Sequence, residues 1–250
     1  MTELVYSSRI ANAMLAMKNE SQIANLSRFF KTGKGQYGEG DLFLGIKVPE
    51  TRALVKSCWK ESTMDDVQEL ITSPYHEHRL CGLLLLVQKF AHARKNPDEQ
   101  QMYVDFYLSH TGYINNWDLV DLSCYEILGN WLLARPRTIL YDFARNGATM
   151  WEQRIAIVTC MQFVRHGEYD DCIQIADILL HHRHDLIHKA VGWLLREVGK
   201  HDGELLRSYL QQCREGEGSP RYTTMPRTAL RYAIEKFPEE ERQQYLKPKE

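Results

Sequence analysis

The sequence predicts an all-α protein, arranged as a HEAT-like solenoid of stacked helix pairs with a concave basic groove. Three observations support this fold class. Apolar residues recur at spacings of three and four along most of the chain, as they do on one face of an α-helix. No segment shows sustained alternation of apolar and polar residues, which would indicate strands. Similar helix starts recur every 33 to 42 residues, at positions 79, 121, 154, 189 and 227, which is typical of two-helix repeats.

The beginning of the chain predicts a helical cap followed by a loop. Apolar residues at helical spacing between Ile10 and Phe30 predict two helices within a cap over about 1–31. Glycines interrupt the pattern over about 32–47, where a GxGxxG sequence begins at Gly33. No strand precedes these glycines and no helix opens on the last of them, so a surface loop is favoured over a dinucleotide-binding turn.

The rest of the chain predicts repeats over about 48–237 and a C-terminal capping helix over about 238–247, which makes 1–250 a single domain. Pro49 is expected at the first position of a helix, where its missing N–H is not needed. Thr63 is expected as an N-cap, because its hydroxyl can accept a hydrogen bond from a free amide. From Tyr75 onward, helices of 12–20 residues are expected to alternate with short turns marked by glycine or proline.

Each aligned helix start carries one charged residue at the equivalent position: Arg79, Asp121, Arg154, Lys189 and Arg227. In a solenoid, one helix of each pair lines the concave surface, so equivalent positions form a ladder along it. Four basic rungs suit a polyanion such as a nucleic acid, and Asp121 is the single acidic exception.

The helix expected after Ile187 carries a second basic surface. Lys189, Trp193, Arg196 and Lys200 share a face at spacings of four, three and four, apart from the apolar face. An indole within such a stripe can pack on a sugar or base while its neighbours hold phosphates. The alternative is that Trp193 belongs to the core and that the charges form a solvated face, as on most amphipathic helices.

The stretch 113–124 contains the candidate catalytic pair. A helix that begins near Asn116 places Trp117 and Asp121 four residues apart, so an indole and a carboxylate share one face, with about 5–6 Å between their Cβ atoms. An indole and a carboxylate placed in this way can bind a cation. The alternative is that Asp118 or Asp121 interacts with free amides of the first turn while Trp117 is a core anchor.

Five segments, spread from about residue 37 to the C-terminus, resemble the AlkD-type DNA alkylation repair glycosylases in the order expected for that family. The resemblance implies a HEAT-like α-solenoid that holds damaged duplex DNA in its concave groove and acts through backbone and sugar. It also implies that Asp121 is the catalytic carboxylate, that Trp117 and Trp193 are two indoles beside the lesion, and that Arg154 contacts the DNA backbone. The segments are Phe43-Leu44-Gly45-Ile46-x-x-Pro49-x-x-Arg52, Asn116-Trp117-Asp118-x-x-Asp121, Trp151-x-x-Arg154, Lys189-Ala190-x-Gly192-Trp193-x-Leu195-Arg196-Glu197 and Met225-x-Arg227-Thr228-x-Leu230-Arg231-Tyr232-Ala233-Ile234-Glu235.

The resemblance also implies a DNA glycosylase that hydrolyses the N-glycosidic bond of cationic N3- and N7-alkylated purines, such as 7-methylguanine and 3-methyladenine, in duplex DNA. We expect this glycosylase to be monofunctional. An alkylated purine of this kind leaves as a neutral base, so the reaction needs no general acid, lysine nucleophile or cofactor. The alternative is a non-catalytic HEAT-repeat module that binds protein or DNA. Beyond the catalytic set, the residues predicted to bind nucleic acid are Arg79, Lys189, Arg196, Arg227 and Arg231.

Charge and hydropathy limit the other classes. A formal net charge of −2 argues against indiscriminate binding to nucleic acid. The longest apolar run, Leu80 to Val87, is far shorter than the ~20 residues of a membrane span. The first residues also lack the apolar block of a signal peptide. A cytoplasmic protein is therefore expected, and a monomer, because the end helices can cap the solenoid.

A zinc site is the rival chemistry. His184 and His188, with Asp185 between them, imitate the HExxH arrangement of zinc hydrolases. Asp185 is also a natural N-cap for the helix that follows, and this would place His184 outside that helix and spoil the pairing. No metal is therefore predicted.

Overall fold

The computed structural model describes residues 6–216 and 218–247, so the first five residues of the predicted cap lie outside it. Within these ranges every regular secondary-structure element is a helix. β-type pairing is limited to two isolated bridges, Leu42 with Tyr75 and Cys213 with Pro220. The predicted all-α fold class is confirmed. Across the same ranges, no helix combines the length and the apolar character needed to cross a lipid bilayer.

Contacts along the backbone divide the chain into two compact units, with the division between Ile127 and Leu128. The predicted single domain over 1–250 stays a prediction. The helices of the first unit are α1 (Arg9–Ala16), α2 (Glu20–Phe29), α3 (Val48–Cys58), α4 (Met64–Ile71), α5 (His76–His92), α6 (Pro97–Ser109) and α7 (Trp117–Asp121).

Helix α5 is the centre of the first unit, and α3, α4, α6 and α7 all pack against it. Its sequence from His76 to Leu86 is buried on every side, which is how a helix surrounded by other helices behaves. The four polar residues at its start, His76, Glu77, His78 and Arg79, are buried as well, so each of them needs a polar partner inside the protein.

The starts of α3 and α4 and the loop before α3 are each the subject of a local prediction. Thr63 caps α4 as predicted: its hydroxyl accepts from the Asp66 amide, and the Asp66 carboxylate accepts from the Thr63 amide. Pro49 lies in the first turn of α3 but is its second residue, since the helix begins at Val48. The chain from Gly33 to Leu42 forms turns, as the loop prediction requires, whereas the segment 43–46 is buried.

A buried carboxylate holds the segment 43–46. The two oxygens of Glu77 accept hydrogen bonds from the amides of Leu44, Gly45 and Ile46 at 2.9, 2.9 and 3.3 Å. Gly45 has a φ of +83°, and a Cβ there would lie 2.1 Å from the Asn19 carbonyl oxygen. These contacts explain why this segment requires a glycine and why it packs against the start of α5.

The second unit consists of shorter helices that pack around α13. Helix α10 contacts α9 and α13, and α13 also contacts α12, α14 and α16. The helices are α8 (Asn130–Leu132), α9 (Thr138–Asn146), α10 (Met150–Thr159), α11 (Met161–Arg165), α12 (Asp170–Leu179), α13 (Asp185–His201), α14 (Gly203–Gln211), α15 (Arg221–Thr224), α16 (Arg227–Ala233) and α17 (Glu239–Leu246).

The predicted helix length of 12–20 residues is wrong for most elements. Among the described helices after Tyr75, α5 and α13 have 17 residues and α6 has 13, whereas α14 has 9 and α17 has 8. The helices are shorter because polar N-caps begin new helices at more places than the apolar periodicity predicts. At these places side chains such as Thr149 and Asp202 accept hydrogen bonds from the free amides of the new helix.

Candidate functional site

Helix α7 is the one-turn helix that carries the candidate catalytic pair. Asn116 has extended backbone angles, and its side-chain oxygen accepts from the Trp117 amide at 2.9 Å, so the helix begins at Trp117 and ends at Asp121. The predicted helix start is therefore confirmed. Trp117 and Asp121 are both partly exposed, and the three residues between them are buried. One helical turn places the indole and the carboxylate on the same face.

Two phenylalanines at the end of α2 support Trp117. The indole stacks on the buried Phe30 ring, with centroids 5.5 Å apart and an angle of 25° between the planes. It also meets the Phe29 ring edge to face at 5.9 Å. Phe29 is 60% exposed. Trp117 thus packs on these two rings and keeps part of its surface exposed to solvent, whereas a core anchor would be buried.

Asp118, unlike the partly exposed Asp121, is buried. One carboxylate oxygen lies 2.9 Å from Nε2 of His76, and the other accepts from the Leu119 amide at 2.9 Å. The alternative interpretation, in which a carboxylate interacts with an amide of the first turn, is therefore correct for Asp118. Asp121, four residues after Trp117, remains on the same face of α7 as the indole.

The His76 contact belongs to a buried network of charges. Asp41, from the loop before α3, lies 2.7 Å from the Arg79 guanidinium, and its Oδ2 is 3.5 Å from Nδ1 of His76. Asn115 donates to Asp41 at 2.8 Å and accepts from Arg79 at 3.1 Å. Burial opposes the ionisation of Asp41, but His76, Arg79 and Asn115 together hold the pKa of its carboxyl below the usual value.

Asp121 lies near a buried hydroxyl pair. Tyr107 is fully buried, and its hydroxyl is 3.3 Å from that of Ser123. Burial raises the pKa of Tyr107 well above its usual value, the hydrogen bond with Ser123 opposes this shift, and Asp121 adds to it.

The predicted role of Arg79 as a rung for nucleic acid is wrong. Arg79 is 4% exposed, and its guanidinium is committed to the Ser73 carbonyl at 2.8 Å as well as to Asp41 and Asn115. A phosphate would have to displace a buried carboxylate to reach it. Arg79 is a structural cation of the network.

The second unit carries the other two predicted catalytic residues. Trp193 lies in the middle of α13 and is partly exposed, and its place beside a lesion stays a prediction. Arg154, on α10, is 5% exposed and donates to the Leu186 carbonyl in the first turn of α13. Arg154 thus ties α10 to the helix that carries Trp193, and its contact with the DNA backbone stays a prediction.

The remaining basic residues differ in how freely they are presented. Lys189 pairs with Asp185 at 2.8 Å, and Arg196 pairs with Glu235 and is 18% exposed. Arg227 is exposed and donates to the Leu246 carbonyl at 2.7 Å, while Arg231 is exposed. The stripe predicted along α13 is therefore largely neutralised by neighbouring carboxylates, and binding of DNA by these residues stays a prediction.

The histidines that imitate a zinc motif have other contacts. His184 is the N-cap of α13, and its Nδ1 accepts from the Leu186 amide at 3.2 Å, so the helix begins at Asp185, one residue earlier than it would with the predicted cap at Asp185. His188 Nε2 contacts the His182 carbonyl. Within the described ranges, no three histidine, cysteine or acidic side chains are grouped as metal ligands.

Sequence reasoning missed Asp41, His76 and Asp118 as a group. Asp118 stands inside the Asn116-Trp117-Asp118 segment, so its place in a motif was visible, but its partner was not. The other two residues lie in a loop and at a helix start, with no local pattern that connects them. A buried start of α5 with four consecutive polar residues, from His76 to Arg79, is the signal that points to an internal network.

Comparison with known proteins gives the family. The sequence profile described as DNA alkylation repair enzyme matches residues 10–237. The chain belongs to the DNA alkylation repair enzyme family. This confirms the resemblance seen in the sequence motifs and supports a role in the repair of alkylated DNA.

A solved structure shares the fold of this DNA alkylation repair family member. The structure, described as a predicted DNA alkylation repair enzyme from Enterococcus faecalis, matches with a TM-score of 0.66 and 18% sequence identity, over 89% of this chain and 97% of that one. At this identity the similarity concerns the fold. None of the curated proteins compared with the sequence matches it significantly.

Proposed function

We propose that this chain is a monofunctional DNA glycosylase that releases cationic N3- and N7-alkylated purines from duplex DNA. The observation that carries the proposal is the face of α7, where a partly exposed indole and a partly exposed carboxylate lie one turn apart. Asp118 is turned into the protein, so the open face presents one anion, Asp121. A reaction in which the leaving group departs without protonation needs only one.

The chemistry gives Asp121 its role. A purine alkylated at N3 or N7 is already positively charged, and it leaves as a neutral base when the glycosidic bond breaks. Positive charge then builds on the deoxyribose as an oxocarbenium-like centre. A carboxylate beside C1′ interacts more strongly with that state than with the ground state, and it can also orient the attacking water.

The indoles supply attraction for the cationic base. Trp117 has one face packed on Phe30, which fixes the ring and reduces the entropy lost when a base contacts it. A cation held over an indole gains about 0.5–2 kcal/mol, depending on how far water is excluded. The family resemblance supports a second indole, Trp193, and a phosphate contact by Arg154.

The test is release of free base from a duplex that contains one 7-methylguanine. We expect Asp121→Asn to lower the single-turnover rate by about 100-fold or more while DNA affinity is kept, because the substitution removes charge and keeps shape. Asp105→Asn is the matched control, since Asp105 is an exposed carboxylate on α6 outside the candidate pair. We expect this control to match the wild type.

Two results would count against the proposal. A wild-type rate in Asp121→Asn would remove the carboxylate from the mechanism. A wild-type protein that binds the duplex with salt-dependent affinity but releases no base would favour the alternative, a non-catalytic DNA-binding module. Trp117→Ala and Trp193→Ala, singly and together, measure whether the two indoles contribute to the same step.

A further inference from the structure

His76 joins three parts of the first unit that are far apart in sequence. Its Nε2 faces Asp118 on α7 at 2.9 Å, and its Nδ1 faces Asp41 in the loop before α3 at 3.5 Å. The side chains of these three residues are at most 6% exposed. The 3.5 Å separation is long for a good hydrogen bond but is within the range of an ion pair. The imidazole therefore lies between two buried carboxylates.

The number of charges indicates that the imidazole is protonated. Asp41 and Asp118 contribute two negative charges, and Arg79 contributes one positive charge, at 2.7 Å from Asp41. A neutral imidazole has a single N–H and can donate to one carboxylate, whereas the imidazolium can donate to both. With His76 neutral, one buried negative charge would lack a counter-charge, which is costly in a low-dielectric interior.

The aromatic surroundings of His76 suit a cation as well. The rings of Phe30 and Phe43 lie 4.6 and 4.8 Å from the imidazole, at angles of 35° and 18°. The face of an aromatic ring attracts a positive charge. Phe30 is also the ring on which Trp117 stacks. His76 is thus connected to Trp117 in two ways, through the adjacent residue Asp118 and through the shared Phe30 ring.

We propose that the protonated side chain of His76 is a positioning residue that holds α7, and with it Trp117 and Asp121, in the geometry used for base release. This inference rests on the proposed glycosylase function for its kinetic consequence, but its structural part can be tested without any substrate. His76 is itself buried, so it presents no surface to a ligand. Its effect reaches the site through Asp118 and Phe30.

The charged groups that face His76 determine whether its pKa is raised or lowered. Burial lowers the pKa of His76, and so does Arg79, but the charge and hydrogen bond of Asp118, together with Asp41, outweigh them and raise the pKa to about 9. Because the folded pKa is above the ordinary value of 6.5, the stabilising effect is fully present below about pH 6.5 and is lost as the pH rises to about 9.

The first experiment uses the wild-type protein alone. Amide hydrogen exchange over residues 117–122 is measured at pH 6.5 and at about pH 9.5, and rates are corrected for the intrinsic effect of pH. We expect protection in α7 to fall by about 10-fold or more at the higher pH, because deprotonation of His76 unbalances the network. Unchanged protection would overturn the proposal. This measurement needs no variant, so it decides the question even if substitutions at His76 prevent folding.

The second experiment compares three variants. His76→Gln keeps a polar side chain and loses the cation, so α7 should show low protection at both pH values. His76→Arg restores a planar cation that can donate to two carboxylates, and we expect it to remove the pH dependence and to keep protection. His78→Gln is the matched control, because His78 is a buried histidine two residues away on α5 that lacks the pair of carboxylates. It should retain the wild-type fall between pH 6.5 and 9.5.

The kinetic readout separates positioning from stability. At pH 7, His76→Gln should release 7-methylguanine about 10- to 100-fold more slowly than the wild type under conditions where both are folded, with DNA affinity changed much less. Substrate incubated alone at each pH corrects for spontaneous loss of base. A folded His76→Gln protein with the wild-type rate and wild-type protection would refute the positioning role. If the wild type releases no base at any pH, the glycosylase proposal fails, and the exchange result still decides whether His76 holds α7.

Discussion

Trp117 and Trp193, the two indoles of the proposed site, are held by different kinds of contact. Trp117 lies on a five-residue helix that contacts the core of the first unit through Asp118, which faces His76, and His76 in turn faces Asp41. Trp193 lies in the middle of a 17-residue helix, and the residue before it, Gly192, allows α16 to approach closely. One indole depends on buried charge and the other on close packing.

This difference predicts different sensitivities. A short helix gains little from its own hydrogen bonds, so its position depends on the side chains that anchor it. A buried ionic anchor responds to pH and to the loss of a single partner. A long helix packed through a glycine responds to added volume and hardly to pH. A substitution in one unit therefore tests one kind of contact at a time.

The largest effect is expected from Gly192→Ala in the second unit. A Cβ at position 192 would lie 2.4 Å from the Ala229 carbonyl oxygen and 2.5 Å from the Tyr232 Cβ. Helix propensity alone would favour alanine by about 1 kcal/mol, but backbone on α16 cannot move aside cheaply, so we expect a net loss of about 3 kcal/mol in the free energy of unfolding. Chemical denaturation of the purified protein measures it.

Gly218→Ala is the control for this change. A Cβ at position 218 would meet no atom within 4 Å, so its effect should stay within about 0.5 kcal/mol. If Gly192→Ala and Gly218→Ala unfold at the same denaturant concentration, close packing of α13 on α16 is not what holds Trp193.

The next largest effect is expected in the first unit, from Glu77→Gln. Glutamine offers one acceptor oxygen, and its NH₂ group would face an amide N–H of the segment 43–46, so at least one buried donor loses its partner. We expect a loss on the order of 2–3 kcal/mol. Glu50→Gln is the matched change, because Glu50 is exposed and accepts from a single amide, that of Lys47, at 2.8 Å. Equal denaturation midpoints for the two variants would show that the buried carboxylate is not an anchor.

How much of this could be predicted from the sequence depends on the range of the interaction. The start of α7 at Asn116 and the cap at Thr63 were predicted correctly, because a capping side chain and the amide it satisfies are neighbours in the chain. The family motifs mark Trp117 and Asp121 as site candidates, and their catalytic roles stay predictions. Local signals of this kind survive without knowledge of the tertiary structure.

The buried network could not be predicted in this way. Asp41, His76 and Asp118 come from a loop and two helix starts, and no periodicity relates them. For the same reason the repeat pattern predicts an exposed rung at Arg79, whereas the structure buries Arg79 against Asp41 from the loop before α3. A repeat pattern gives equivalent positions, and insertions between repeats decide which of them stay exposed.

A smaller effect, on the acid side of neutrality, distinguishes the two buried histidines of α5. Burial lowers the pKa of His78 to about 4. Because the unfolded chain binds a proton at the ordinary value of 6.5 and the folded protein does not, the stability contributed by neutral His78 is lost as the pH falls from 6.5 to about 4. We expect His78→Gln to flatten this part of the stability profile by roughly 2 kcal/mol.

Denaturation between pH 4 and pH 9.5 checks that expectation. The wild type should be most stable near pH 6.5 with respect to these two groups, and His76→Gln should flatten only the alkaline side. A His78→Gln profile with the full wild-type slope below pH 6.5 would mean that other groups carry the acid dependence.

The smallest effect is expected from the exposed basic residues, where the two units again differ. Arg79 of the first unit is buried, and a phosphate could bind it only by displacing Asp41. Arg231 of the second unit is exposed on α16, where a phosphate can approach it from solvent. Arg231→Gln should weaken binding to duplex DNA by about 2- to 5-fold and lower the slope of log affinity against log salt concentration by about 1. Lys95→Gln, in the exposed turn before α6, should change neither quantity. If both substitutions lower the salt slope equally, DNA is attracted by overall charge, and α16 has no special part in holding it.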